Sequence, residues 1–221
     1  MRQWAIIVGL NDYPSFQPLS FAQRDAQVLH QVLIRDMEVP PEQCLLMTQT
    51  SPNVWGKPTQ PTRTNLLSWI ELLTQNCLKP DDAIWFFFTG HGICHNGQDY
   101  LVPIDGDVEA IAATCIPLSH LYNRLYAAVP QGLPLVLLDV SHNQSAAAET
   151  IGTQTAQLAR QSGIPTILSC LPGQVSREIS SLGHGLFAVA VIEAIKYQQT
   201  ASLATLVRFL GDRIPELSAH Y

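Results

Sequence analysis

The chain has 221 residues, 47% apolar and only 14% charged, with 12 basic against 18 acidic side chains and a net charge of −6. That length suits one domain with a sizeable buried core, and a charged fraction below the roughly 25% of average soluble domains excludes a disordered chain. The acidic balance argues against a nucleic-acid or anionic-membrane footprint, and no apolar run approaches the ~20 residues a spanning helix requires.

The opening MRQWAIIVGL lacks the long apolar region and small-residue cleavage site of a signal peptide. It reads as a buried strand over about residues 4–9, and the protein as soluble and cytoplasmic. A helix follows at about 20–35, where Phe21, Val28, Leu29, Val32 and Leu33 recur at helical spacing. A short strand spans Cys44 to Thr48, then a loop rich in Pro, Thr and Asn runs to Gln60. Thr62 or Thr64 can cap a helix at about 64–77. Beyond Lys79-Pro80-Asp81-Asp82 comes AIWFFFTG, a near-continuous apolar run typical of a strand covered on both faces. A glycine-rich loop, a YLVPID segment and a helix at about 117–128 lead to a second such strand, LPLVLLDV, at about 133–140. The remainder reads as a helix at about 150–162, a strand at 165–170, and helices at about 184–198 and 202–214. This alternation predicts an open, doubly wound α/β sheet with helices on both faces.

Open α/β sheets place function at the carboxyl ends of their strands. His91 lies in Thr89-Gly90-His91-Gly92, where an imidazole can act as general base or acid near neutral pH. A turn histidine with glycines for backbone geometry is the alternative. Asp139, at the end of an apolar strand, suits a pocket for a basic side chain or, alternatively, the cap of the next turn. Ser141 is positioned to present a nucleophile to His91 from a neighbouring strand.

These residues, taken in order, resemble a caspase-type domain of the metacaspase and prokaryotic orthocaspase group. The resemblance rests on Gly9-Leu10-Asn11-Asp12-Tyr13-Pro14, Arg24-Asp25-Ala26, Pro61-Thr62-Arg63, Phe88-Thr89-Gly90-His91-Gly92, Tyr100-Leu101-Val102-Pro103-Ile104-Asp105 and Leu138-Asp139-Val140-Ser141-His142. It extends from about residue 4 to about 195. It implies a caspase-like three-layer sandwich around a mostly parallel six-stranded sheet, in one domain covering 1–221. Residues up to about 145 would form the large-subunit-like half, and those from about 150 the small-subunit-like half.

The resemblance also implies roles. His91 would be the catalytic imidazole, the Gly92 N–H part of an oxyanion hole, and Asp25 and Asp139 the acids of a pocket for arginine or lysine. The nucleophile position holds Ser141 in place of cysteine, and Asn143-Gln144 replaces the Ser-Gly that follows it in the family. A serine hydroxyl needs an aligned base and an orienting third group, whereas a thiol is partly ionised near neutral pH. The expectation is a pseudo-peptidase that binds peptides or proteins with exposed Arg or Lys, as a monomer. The alternatives are a weak Arg/Lys-specific endopeptidase using Ser141 and His91, and an active cysteine peptidase carrying a deliberate Cys→Ser change. A regulatory module within a longer protein is a third role.

The remaining candidates are expected to be structural. Cys44, Cys77, Cys94, Cys115 and Cys170 form no CxxC pair and suggest neither disulfides nor zinc. Cys94 or Cys170 could offer a substitute thiol, but both read better as small packed residues. His91, Cys94 and His95 lack an evident fourth ligand, and Asp99, Asp105, Asp107 and Glu109 lack calcium-loop spacing and read as a solvated acidic loop. No metal or cofactor is expected. His184 reads as the start of a helix, while Ser176 and Glu178 are expected near the cleft. Arg160, the only basic residue between 143 and 163, falls in a predicted helix, so an active chain is expected to work uncut.

Overall fold

A computed structural model describes residues 1–141, 151–170, 176 and 178–221. The apolar opening forms β1 (Gln3–Gly9), followed by α1 (Ala22–Asp36) and β2 (Cys44–Met47). Next come α2 (Arg63–Leu72), β3 (Ala83–His95), β4 (Gln98–Leu101), α3 (Ile111–Thr114), β5 (Ile116–Pro117) and α4 (Leu118–Ala128). The second half contributes β6 (Leu133–Ser141), α5 (Thr153–Ser162), β7 (Thr166–Leu168), β8 (Glu178–Ile179), β9 (His184–Gly185), α6 (Leu186–Lys196) and α7 (Leu203–His220).

Five strands run parallel in the order β2-β1-β3-β6-β7. The antiparallel β4 and β5 extend from the far half of β3, so the described sheet has seven strands where six were expected. Alternation within the strands feeds two cores. Ile6, Val8, Phe86, Phe88, Val136 and Leu138 pack with residues of α2 and α4. Ala5, Ile7, Phe87 and Leu137 pack with α1, α6 and α7. Both faces are covered, which is why these strands read as unbroken apolar runs. Gly9 lets α1 lie against the end of β1, because a Cβ there would meet the Ala22 carbonyl at 2.4 Å.

The expected loop at Gly90–Gly92 is instead strand. β6 runs beside β3 as far as the pair His91 and Ser141, and β4 then pairs with Gly92 to His95, so the backbone stays hydrogen-bonded to the Asn96–Gly97 turn. Thr62 caps α2 by accepting the Asn65 N–H at 3.2 Å. His184 belongs to β9 and not to a helix, since α6 begins at Leu186. The last helix passes through Pro215 to His220.

Candidate active site

β3 and β6 bring His91 and Ser141 into direct register at the carboxyl end of the sheet. The flanking glycines are required by packing. A Cβ at Gly90 would meet the Tyr13 hydroxyl at 2.5 Å, and one at Gly92 would meet Ile151 at 3.0 Å and Val140 at 3.1 Å. The Tyr13 oxygen accepts the His91 backbone N–H at 3.1 Å. Tyr13 also meets the imidazole edge-on at 4.7 Å, and Phe16 stacks on it at 5.6 Å.

His91 is only 2% exposed. Its Nε2 lies 2.6 Å from the Gln17 carbonyl oxygen and its Nδ1 lies 3.2 Å from the Ser141 carbonyl oxygen. A neutral imidazole has one N–H, so it can satisfy only one of these acceptors. The shorter contact favours Nε2–H on Gln17, which leaves Nδ1 as the basic nitrogen on the Ser141 side. Burial lowers the imidazole pKa, and the two carbonyls oppose that shift without reversing it.

Asp139 lies two residues before Ser141 on the same strand, and so on the same face. It is 5% exposed and accepts the Ser176 hydroxyl at 2.5 Å. Burial raises its pKa to about 6, against the pull of the Ser176 and Ser169 hydroxyls. Asp25, in the first turn of α1, meets Nδ1 of His184 at 2.5 Å and accepts the Gly185 N–H at 2.9 Å. Its pKa is pushed up to about 8, by burial first and then, against the Gly185 N–H and Arg24, by the charges of Asp139 and Glu178. Glu178 accepts the backbone N–H groups of Ser20 and Phe21 at 2.8 to 3.1 Å, capping α1 from a distant strand. Its charge acts on Asp25, Asp139 and His91 together, so these side chains share one electrostatic neighbourhood.

Residues 2–219 match the profile of the caspase domain family. The chain belongs to the caspase domain family. It is 31% identical over 122 residues to metacaspase-1 of Schizosaccharomyces pombe, covering 55% of this chain and 26% of that protein. It is 29% identical over 102 residues to inactive metacaspase-4 of Trypanosoma brucei brucei, covering 42% of this chain and 28% of that protein. The chain therefore spans little more than a quarter of these relatives' lengths. The fold resembles caspase-1 of Spodoptera frugiperda, with a TM-score of 0.64 at 16% identity over 96% of this chain and 76% of that one. A Geobacter sulfurreducens protein matches with a TM-score of 0.61 at 14% identity, over 94% and 89% of the two chains.

This caspase domain thus brings together His91, Gly92, Ser141 and Asp139 at neighbouring strand ends, with Asp25 alongside on α1. His142, Asn143 and Gln144 lie outside the described residues. Gly92 sits one position beyond His91, paired with Leu101 of β4. Two participants were not anticipated: the Gln17 carbonyl on His91, and His184 on Asp25. The first acts through its main chain, which no side-chain pattern reveals. The second was misread because glycines on both sides suggested a helix start.

Other expectations need correction. Asp99 is fully buried, not solvated, and its Oδ2 accepts the Gly152 and Thr155 N–H groups and the Thr155 hydroxyl at 2.7 to 2.9 Å. Asp105 accepts the Arg63 N–H at 2.7 Å, and Asp107 the Glu109 N–H at 3.0 Å. Cys44, Cys77 and Cys115 are free thiols, and Cys44 and Cys115 are buried. Burial, the first of several influences, raises the Cys170 pKa, and the charge of Asp139 raises it further. A cavity of about 480 Å³ opens at the opposite end of the sheet, between Gln3, Trp85, Leu133 and Leu203. It has no titratable side chain in its lining and takes no part in this chemistry. Among the described residues, no helix is long and apolar enough to cross a membrane.

Proposed function

We propose that this caspase domain binds peptide or protein segments carrying arginine or lysine and turns them over extremely slowly or not at all. In this reading Ser141 stands where active family members carry cysteine, Asp25 and Asp139 receive the basic side chain, and the Gly92 N–H contributes to an oxyanion hole. The observation that carries the reading is the pairing of His91 with Ser141. The imidazole nitrogen nearest that residue faces its carbonyl oxygen at 3.2 Å, while the available nucleophile is a hydroxyl. A hydroxyl at its ordinary pKa is a poor nucleophile without an unencumbered base. The relative named as an inactive metacaspase, at 29% identity, is in keeping with it.

One observation favours a serine-type peptidase as the second reading. The Gln17 carbonyl, 2.6 Å from Nε2, supplies the orienting third group such a hydrolase needs. Turnover of fluorogenic peptides ending in Arg or Lys separates the two. The comparison uses the chain as given, Ser141→Ala, Ser141→Cys, and Ser141→Cys combined with His91→Ala. The first reading expects activity to appear only with Ser141→Cys and to vanish without His91. Activity of the unaltered chain that is lost in Ser141→Ala would establish the second reading instead. Silence in every version, with no binding of a basic peptide, would remove both.

A further inference from the structure

The candidate pocket already holds a group able to compete for it. Both oxygens of Asp25 are taken, Oδ1 by the His184 imidazole at 2.5 Å and Oδ2 by the Gly185 N–H at 2.9 Å. The imidazole keeps 17% of its side-chain surface in solvent, and the carboxylate beside it keeps 2%. The turn that delivers His184 is built for this approach. Gly183 has φ +66°, and a Cβ there would meet the Arg24 guanidinium at 2.5 Å. The β8–β9 hairpin is fastened to α1 at its other end by Glu178, and Ser176 just ahead of it holds Asp139. Among the described residues, the charged groups facing the pair are Arg24 from α1, Glu178 from β8 and Asp139 from β6.

We propose that His184 is an internal competitor for the basic side chain: it occupies Asp25 while the pocket is empty and leaves when a guanidinium or ammonium group pairs there. The inference rests on the reading that Asp25 and Asp139 receive arginine or lysine. With Oδ2 committed to the main chain, Oδ1 is the oxygen an incoming cation must reach, and a guanidinium seeks both. The proton shared by Asp25 and His184 passes to solvent as the cation enters, because a protonated carboxyl cannot form the ion pair. Release is therefore easier at higher pH, in line with the raised Asp25 pKa and with the His184 pKa, which burial and Arg24 lower.

The sign of one substitution separates competition from simple support of the hairpin. Binding of a labelled peptide ending in arginine, and of its citrulline counterpart, is measured by fluorescence anisotropy. The proteins are the wild type, His184→Ala, His184→Gln and Asp139→Asn. His184→Ala is expected to bind the arginine peptide at least about threefold more tightly near pH 6. A smaller gain is expected near pH 8, with no gain for citrulline and an intermediate effect for His184→Gln. Unchanged or weaker binding in His184→Ala overturns the inference while leaving the proposed function intact. Should His184→Ala fail to fold, the wild-type imidazole nitrogen resonances decide. They are expected to shift when the arginine peptide saturates the protein, and unshifted signals overturn the inference. Citrulline bound as tightly as arginine, or full affinity in Asp139→Asn, removes the pocket reading and this inference with it.

Discussion

At Tyr13 a single oxygen holds the backbone of His91, accepting its N–H at 3.1 Å in a space with no room for a Cβ at Gly90. Tyr13→Phe keeps the ring against the imidazole but leaves a buried donor without a partner. The expected cost is about 1–3 kcal/mol, read from urea unfolding; a loss within error would show that the site reorganises around the gap. The candidate side chains His91, Ser141, Asp139 and Asp25 were legible in the sequence, because they sit in motifs whose order is informative. What was not legible works through geometry that side-chain identity does not encode. The Gln17 contribution is a carbonyl, which any residue at that position would carry. The His184 contact joins positions 159 apart in sequence.

At the scale of elements, Asp99 ties β4 to the first turn of α5 with three accepted hydrogen bonds on one oxygen. α5 has Gly152 at its cap position, which offers no side-chain acceptor, so the distant carboxylate does the capping. Asp99→Ala is expected to cost about 2–4 kcal/mol and to speed hydrogen exchange in the first turn of α5 ahead of the rest of the helix. Uniform exchange along the helix would show that the tether is not what holds its end. Strands and helices buried on a clear face were readable from periodicity. Boundaries were lost where a residue type usually means one thing and packing demands another. Gly90 and Gly92 suggested a loop, yet they make room for Tyr13, Ile151 and Val140 inside a paired strand. The last helix was expected to end at about 214, yet α7 continues past Pro215 to His220.

For the molecule as a whole, buried carboxyl groups make stability depend on pH in opposing ways. Asp139 and Asp25 have folded pKa values near 6 and 8, above the roughly 4 of an unfolded aspartate. Each binds more proton folded than unfolded, so its contribution is complete at low pH and is lost as pH rises through the folded value. Burial pushes Asp82 up, but hydrogen bonds from Arg2 and Lys79 outweigh it and hold Asp82 near 2, so its contribution is lost only as pH falls towards 2. The lowered pKa of His91 likewise costs stability on acidification below about 6.5. Relative to the wild type, Asp139→Asn should therefore gain stability between about pH 4 and pH 6, by up to about 1.4 kcal/mol per pH unit, and run parallel above. Chemical denaturation across that range checks it, and a constant difference would show that Asp139 titrates normally. The nine-pair ladder from Ala83 and Leu133 to His91 and Ser141 adds a last consequence. Inserting one residue near the start of β3 would turn Phe86 and Phe88 out of their core and His91 out of the cleft in the same movement. Exchanging the half-buried side chain at 141, where the ladder ends, disturbs neither. In this architecture the side chain at 141 can change by one atom, whereas the placement of His91 beside it is inherited with the fold.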